Sequence, residues 1–167
     1  MKALKLIFFA DKYFLRNYGR TISWDSYAAM KHWPVAMNTY QIIQDIDISK
    51  EESSFDNVYI KEYLEKHNYD IANRKAPNLD FLAKREIQVL DMIYNSFGKY
   101  NKWELVNKTH DYTEWKQYEN DIKVFGKRNI HIEDFFKNSE KQDRIFDAPL
   151  EDLQLVKDIF LEENGYV

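Results

Sequence analysis

Residues 6–35 read LIFFADKYFLRNYGRTISWDSYAAMKHWPV and contain the clearest local signals in the chain. Apolar and aromatic residues recur at helical spacing as far as Tyr18, which predicts a first helix over about residues 2–18. Gly19 suits the left-handed residue that commonly ends a helix. The alternation of residues 20–24 then predicts a short strand or an extended loop.

Pro34 predicts the start of a second helix, because its fixed φ and missing N–H suit a first helical turn. The apolar stripe of that helix comprises Val35, Met37, Tyr40, Ile43 and Ile46. The polar, charged segment that follows, residues 49–56, is predicted to be a surface loop.

The next segment is ambiguous between strand and helix. Its alternation over residues 58–64 favours a strand, whereas Tyr59 and Tyr63 are spaced for one helix face. We predict a β-hairpin here, with a turn at residues 67–68 and a returning strand over residues 69–74.

The remainder of the sequence predicts mainly helices. One covers about residues 83–97 and ends at Gly98, and the next begins at Asn101, which has capping-box spacing to Glu104. Thr113 is a candidate N-cap, and Glu133 begins a further short helix. The last helix starts near Pro149, with an inner face of Leu150, Leu153, Val156, Ile159 and Phe160. The predicted fold is mainly α with a small antiparallel β-hairpin (α+β), in one compact domain over residues 1–167.

Composition narrows the functional classes. The 167 residues include no cysteine, which removes disulfides, thiolate metal sites and a cysteine nucleophile. The net charge of −4 gives no global attraction for nucleic acid. No apolar run approaches the roughly 18 residues that a membrane span requires. We therefore expect a cytoplasmic protein with neither membrane nor nucleic-acid partner.

The adjacent His110 and Asp111 suggest one enzymatic alternative. Such a pair forms the centre of the metal site in HD-type phosphohydrolases, because imidazole and carboxylate can together hold a divalent metal that activates water. The site also needs an upstream histidine, for which His67 and His32 are candidates, and a downstream aspartate. The downstream candidates are Asp134, Asp147 and Asp152. The competing interpretation is that His110 ends a helix and bonds free carbonyls there.

Two further features remain open at the level of sequence. Asp11 lies on the apolar face of the first helix and must find a partner, either Arg16, Arg20 or backbone N–H groups. The two helices joined by residues 96–101 allow a helix-turn-helix, which would make the chain a DNA-binding or regulatory scaffold. The second of these helices is short and carries few basic residues.

Three blocks in series resemble the SocA-like antitoxin, or Panacea, family. They are residues 6–22 (LIFFADKYFLRNYGRTI), residues 26–35 (SYAAMKHWPV) and residues 82–115 (LAKREIQVLDMIYNSFGKYNKWELVNKTHDYTEW). The resemblance covers about residues 5–118, and residues 126–167 would form a helical C-terminal extension of the same domain. Trp24 and Trp33 stand where the family pattern usually has glycine, and Ala83 replaces its usual serine cap.

The resemblance implies an antitoxin that neutralises a cognate toxin by direct protein–protein binding, with no catalytic residue, no metal and no cofactor. Such proteins belong to toxin–antitoxin systems and often lie in a prophage or other mobile element. Because tryptophan resists the backbone that glycine adopts easily, we expect the partner-binding surface near these departures. The candidate partner-binding residues are Trp24, Trp33, His32 and Tyr27. The residues implied to hold the fold together are Tyr18, Gly19, Arg20, Pro34, Val35, His110 and Trp115.

Overall fold

The computed structural model describes residues 2–46, 60–68 and 70–165. Its α-helices include α1 (Lys2–Tyr18), α2 (Met37–Asp45), α3 (Lys84–Phe97), α4 (Lys102–His110), α5 (Thr113–Lys116), α6 (Glu119–Phe125) and α7 (Leu150–Glu163), and residues 60–63 are helical as well. Its strands are β1 (Tyr27–Met30), β2 (Trp33–Ala36), β3 (Leu64–His67), β4 (Asp70–Asn73) and β5 (Lys127–Asn129). Short 3-10 helices lie at Leu79–Phe81 and Ile132–Phe136. The predicted mainly helical fold with a small antiparallel β component is confirmed.

Helix α1 forms the centre of the hydrophobic core, and its predicted bounds are confirmed. The Phe8 and Phe9 rings are completely buried. Phe9 packs on Phe97 of α3 with 4.4 Å between ring centroids and on Phe146 at 5.7 Å. The helix ends at Gly19, whose φ of +73° is the left-handed conformation that the sequence predicted.

Helix α1 also carries a lysine into the core. The Lys12 Nζ atom lies 2.8 Å from one Glu114 carboxylate oxygen and 3.0 Å from the other. These side chains are 1% and 0% exposed, so water screens the pair very little. Burial lowers the pKa of Lys12, and the Glu114 carboxylate acts in the opposite direction. Helix α5 is therefore tied to α1 by a desolvated ion pair.

Arg16, one turn further along α1, binds the chain near residues 135–146. Its guanidinium donates to the carbonyl oxygens of Phe146 at 2.8 Å, Phe135 at 2.5 Å and Lys137 at 2.9 Å. It also donates to the Asn138 side chain. One buried cation thus satisfies three main-chain acceptors that would otherwise be costly to bury.

A three-stranded antiparallel sheet, ordered β2-β1-β5, was not predicted. Pro34 and Val35 belong to β2 and not to a helix, so the predicted start of the second helix at Pro34 is wrong. Proline is tolerated here because β2 is an edge strand, where a missing N–H need not break the ladder. Residues 20–26 form neither a strand nor an extended loop, because the chain bends at Arg20, Ile22 and Ser23 and Trp24 is left-handed.

Helix α2 begins three residues later than predicted and is capped from a distance. Its N-cap, Ala36, has no side-chain acceptor. The Asp25 carboxylate supplies the missing capping acceptor, because it accepts the N–H groups of Asn38 at 2.7 Å and Thr39 at 2.8 Å. The carboxylate of Asp25 therefore fixes the residues before β1 against the start of α2.

The predicted hairpin is confirmed as β3 and β4, with His67 paired to Asp70. The predicted first strand is wrong at residues 60–63, which are helical, and β3 instead begins at Leu64 and includes the predicted turn residue His67. Both sequence interpretations of this segment thus hold in part. The predicted loop at residues 49–56 and the strand positions 58–59 and 69 lie outside the described residues.

The helices that follow use carboxylates as caps. Ala83 lacks a capping side chain, but the Glu86 carboxylate accepts the Ala83 N–H at 2.7 Å. The capping box of Asn101 and Glu104 is confirmed, with 2.7 Å from the Asn101 nitrogen to the Glu104 carboxylate. Thr113 is not an N-cap, because its hydroxyl donates to the Asn138 carbonyl at 3.0 Å.

Helix α7 begins at Leu150 as predicted, but its inner face is narrower than expected. Leu153 is buried, and Val156 and Phe160 pack against the core. Leu150 is 71% exposed and Ile159 is 44% exposed, so their predicted place on the inner face is wrong. Among the described helices, none is both long and apolar enough to cross a membrane.

Lys5 is the least favourably placed charge of α1. Its side chain is fully buried, and its Nζ has no hydrogen-bond partner within the described residues. The amine lies 3.7 Å from the centroid of the Trp33 ring, a cation–π contact. Burial, with a smaller contribution from Lys102, lowers the pKa of Lys5 to about 8.

Lys5→Met is expected to stabilise the fold near neutral pH. A lysine pKa that is lower in the folded than in the unfolded chain destabilises the fold fully below pH 8, and the penalty fades as pH rises towards 10.5. The gain at pH 7 has an upper bound of about 3 kcal/mol, reduced by the lost cation–π contact. Chemical unfolding of both proteins at pH 7, 9 and 10 should show the gain shrinking. Lys31→Met, at an exposed position, is the control, and parallel pH curves for Lys5→Met and wild type would contradict the assignment.

Candidate partner-binding surface

Hydrogen bonds to the Asp11 side chain fix the loop between α1 and β1. This fully buried carboxylate accepts the N–H groups of Ile22 at 2.7 Å and Ser23 at 3.0 Å. It also accepts the Ser23 hydroxyl and the Tyr27 hydroxyl at 2.6 Å. Of the predicted partners, backbone N–H groups are confirmed. Asp11 therefore stabilises the loop, because these four hydrogen bonds are all made to residues of the same segment, 22–27.

Trp24 lies in this loop and has a backbone conformation that bulky side chains rarely adopt. Its φ is +54°, in the left-handed region. That region costs a bulky L-residue roughly 1–2 kcal/mol and costs glycine almost nothing. Its side chain is nevertheless 69% exposed, so little core packing compensates for the strain. The sequence expectation that tryptophan occupies a glycine-like position here agrees with this backbone.

Arg20 links Trp24 to the rest of the molecule. Its guanidinium lies 6.0 Å from the Trp24 ring and 4.9 Å from the Phe14 ring. One nitrogen of the guanidinium lies 2.6 Å from the Glu86 carboxylate of α3. Arg20 therefore joins the loop to α3.

A second exposed ring and a second arginine continue this surface. Tyr18 is 45% exposed, and its ring lies 4.7 Å from that of Phe14. The Arg85 guanidinium lies 5.9 Å from the Tyr18 ring. We name Tyr18, Arg20, Trp24 and Arg85 the arginine–aromatic patch. Such a composition is typical of the centres of protein–protein interfaces.

An open cleft of about 310 Å³ adjoins the patch. Its lining includes Gly19, Arg20, Trp24, Ile132 and Glu163. The patch thus has a concave neighbour that a side chain of another protein can enter.

His32 lies on a different surface, at the turn between β1 and β2. It is exposed, stacks on Trp33 with 5.8 Å between ring centroids, and meets the exposed Trp103 ring edge-on at 6.2 Å. His110 and Trp115 hold this turn in place. The His110 Nε2 donates to the His32 carbonyl at 2.8 Å, and the Trp115 Nε1 donates to the Met30 carbonyl at 2.8 Å. Through these two hydrogen bonds, His110 and Trp115 would fill the structural roles predicted for them.

Four other predicted residues lie in the interior. Tyr27 is 4% exposed, and burial together with the neighbouring Asp11 raises its pKa well above the usual range. Trp33 is 8% exposed, with Lys5 above its ring. Pro34 and Val35 are buried in β2. Tyr27 and Trp33 therefore present no face to a partner, and the exposed candidates are Trp24 and His32.

The phosphohydrolase alternative has no matching geometry. The His110 ring stacks on Trp115 with 3.7 Å between ring centroids, and burial lowers its pKa. Its Nε2 donates to a carbonyl, so that nitrogen is protonated and closed to a metal. Asp111 pairs with Lys141 at 2.6 Å. In the described ranges, no three His, Cys, Asp or Glu side chains cluster as metal ligands would.

The family comparison agrees with the features described above. A family model described as the antitoxin SocA-like, Panacea domain matches residues 4–116, which is more than half of the chain. The chain belongs to this family. No match was found among curated proteins or among solved structures. The Panacea match includes α1, β1, β2 and the His110–Trp115 support of their turn.

Sequence reasoning missed the patch as a unit. Trp24 was identified because it departs from the Panacea pattern, and Arg20 because it follows that pattern. Arg85 carries no local signal, since an isolated basic pair on a helix is usually solvated. Only the packing of α3 against α1 places Arg85 beside Tyr18.

Proposed function

We propose that this chain is a Panacea-type antitoxin that neutralises a cognate toxin in the cytoplasm by direct protein–protein binding and without catalysis. Membership of the antitoxin family supports the general role. The observation that carries the binding mode is Trp24, a large ring that is 69% exposed on a left-handed backbone. Such strain is common at functional sites, where the surrounding structure enforces it.

The contact surface in this proposal is centred on Trp24 and not on the β1–β2 turn. Trp24 combines exposure with an adjacent cleft and a guanidinium, which together allow a partner group to be enclosed. His32 has an exposed ring, but its carbonyl and its stacking on Trp33 serve the turn itself. The His32–Trp103 surface is therefore the alternative that the experiment must separate.

Co-expression with the products of the flanking genes tests the proposal. One product is expected to stop growth alone, to be tolerated with this protein, and to co-purify with it in a stable complex. His32→Ala and Trp103→Ala are expected to retain neutralisation, whereas Trp24→Ala is expected to lose it.

Two results would count against the proposal in different ways. If no flanking product is toxic, or if rescue occurs without a complex, binding-based neutralisation is wrong. If rescue depends on His32 and Trp103 but not on Trp24, the function stands and its proposed surface is wrong. Circular dichroism of each variant checks that loss of rescue does not reflect unfolding.

A further inference from the structure

The arginine–aromatic patch alternates rings and cations along one face. The order is Trp24, Arg20, Tyr18 and Arg85, with the buried Phe14 ring between Arg20 and Tyr18. Each guanidinium lies within cation–π distance of a ring, which favours its position at this surface. A patch of this kind binds planar anionic groups better than flexible lysines would.

The two arginines differ in how their charge is balanced. Arg20 is neutralised by Glu86, which also caps α3. Arg85 is exposed and has no carboxylate partner in the described part of the chain, and the neighbouring Lys84 is exposed as well. In a chain with a net charge of −4, this is a local excess of positive charge.

Two other carboxylates, those of Asp25 and Glu163, lie at the cleft and form no ion pair with Arg85 in the described residues. The Asp25 carboxylate accepts the N–H groups at the start of α2. Glu163 and Asp25 both line the cleft beside Trp24, whereas Tyr18 and Arg85 are not among its lining residues. The outer end of the patch, at Tyr18 and Arg85, thus remains cationic and aromatic.

We infer that the arginine–aromatic patch recognises a short acidic segment of the partner protein, with a carboxylate on Arg85 and an adjacent apolar side chain against Trp24. This inference rests on the proposed function and specifies its partner chemistry. The arginine fork accepts a carboxylate through two parallel hydrogen bonds. The Trp24 ring and the cleft supply the apolar contact that gives such a pair its affinity.

A nucleic acid fits the same surface less well. Its backbone requires a row of cations along several phosphates, and here one of the patch arginines is already paired with Glu86. Single-stranded DNA is therefore included as a competing probe in the test.

A phage-displayed library of 12-residue peptides, selected on the full chain, tests the inference without the toxin. Selected peptides are expected to be rich in Asp and Glu beside an apolar residue, and to bind Arg85→Glu at least about tenfold more weakly. Arg144→Glu is the matched control, because Arg144 is also exposed and lacks a carboxylate partner among the described residues; its affinity should stay within about twofold. Selection of peptides without carboxylates, no selection at all, or stronger Arg85-dependent binding of single-stranded DNA would overturn the inference.

The same variants in the toxin assay separate the two proposals. Rescue that survives Arg85→Glu as fully as Arg144→Glu overturns the acidic-segment inference and leaves the antitoxin function standing. If no flanking product is neutralised while acidic peptides still bind through Arg85, the function fails and the surface chemistry stands. A charge exchange gives the positive result: an acidic residue of the toxin changed to lysine should restore binding to Arg85→Glu.

Discussion

Replacing Glu114 with alanine is expected to lower the free energy of unfolding by about 3–5 kcal/mol, because it leaves the Lys12 cation buried without a counter-ion. The two side chains are 1% and 0% exposed, so water cannot take the place of the carboxylate. Small domains are stable by only about 5–15 kcal/mol, so the change removes a large part of the total. Urea unfolding, followed by circular dichroism, measures it.

The loss caused by Glu114→Ala should depend on pH. Burial already lowers the pKa of Lys12, and the carboxylate that opposes this is then absent. A lysine pKa that is lower in the folded chain makes its penalty largest at low pH and smaller as pH rises towards 10.5. The stability gap between Glu114→Ala and wild type is therefore expected to narrow in alkaline solution.

Two companion variants show whether the effect belongs to the buried pair. Lys12→Met combined with Glu114→Leu should recover most of the stability, since apolar residues of similar volume often replace a buried pair without loss. Glu119→Ala breaks the exposed pair with Lys123 and should change stability by less than about 0.5 kcal/mol. A loss below about 1 kcal/mol for Glu114→Ala would contradict this account of the core.

Trp24→Gly is expected to separate stability from binding. The left-handed backbone costs tryptophan roughly 1–2 kcal/mol, while glycine loses somewhat more entropy on folding, so stability should stay equal or rise by about 1 kcal/mol. Affinity for the cognate toxin should fall by at least about 2 kcal/mol, or roughly thirtyfold, as for a central interface tryptophan. Chemical unfolding of the free protein and calorimetric titration with the toxin measure the two effects.

Trp24→Asn is the control for backbone freedom. Asparagine tolerates positive φ but lacks the indole ring, so it should bind as weakly as glycine without the added flexibility of the unfolded chain. Trp103→Ala removes another exposed tryptophan and should leave affinity unchanged. A Trp24→Gly variant that unfolds more easily and binds normally would show that the ring serves the fold.

Local patterns predicted the elements with strong periodicity or capping chemistry. Helix α1 and the Asn101 capping box followed from neighbouring residues, and so did the presence of the β3–β4 hairpin, although not the position of its first strand. The β2-β1-β5 sheet did not, because β5 lies about a hundred residues after β1 in the chain and is only three residues long. Pro34 misled the prediction, since its preference for a first helical turn also suits an edge strand.

The sequence could identify the candidate site only at positions where a bulky residue replaces a glycine of the family pattern. Trp24 could be identified in this way, and its φ of +54° lies in the left-handed region that glycine favours. Trp33 was selected by the same reasoning but lies beneath Lys5, because its strand faces the core. A residue that replaces a family glycine indicates a local change in packing. Only the tertiary structure shows whether its side chain is exposed, as for Trp24, or buried, as for Trp33.

The contacts of Arg16 set limits on how proteins of this type can be recombined. The family match ends at residue 116, yet this guanidinium binds acceptors at Phe135, Lys137 and Phe146. A fragment that ends at residue 116 would lack the acceptors of the buried Arg16 guanidinium. We therefore expect residues 1–116 not to fold alone. Three of its acceptors are main-chain carbonyls, which every amino acid supplies, and a fourth is the Asn138 side chain. We therefore expect an exchanged C-terminal segment to keep this anchor only if it retains the same backbone path, and to keep the core only if it also supplies the buried rings of Phe135 and Phe146.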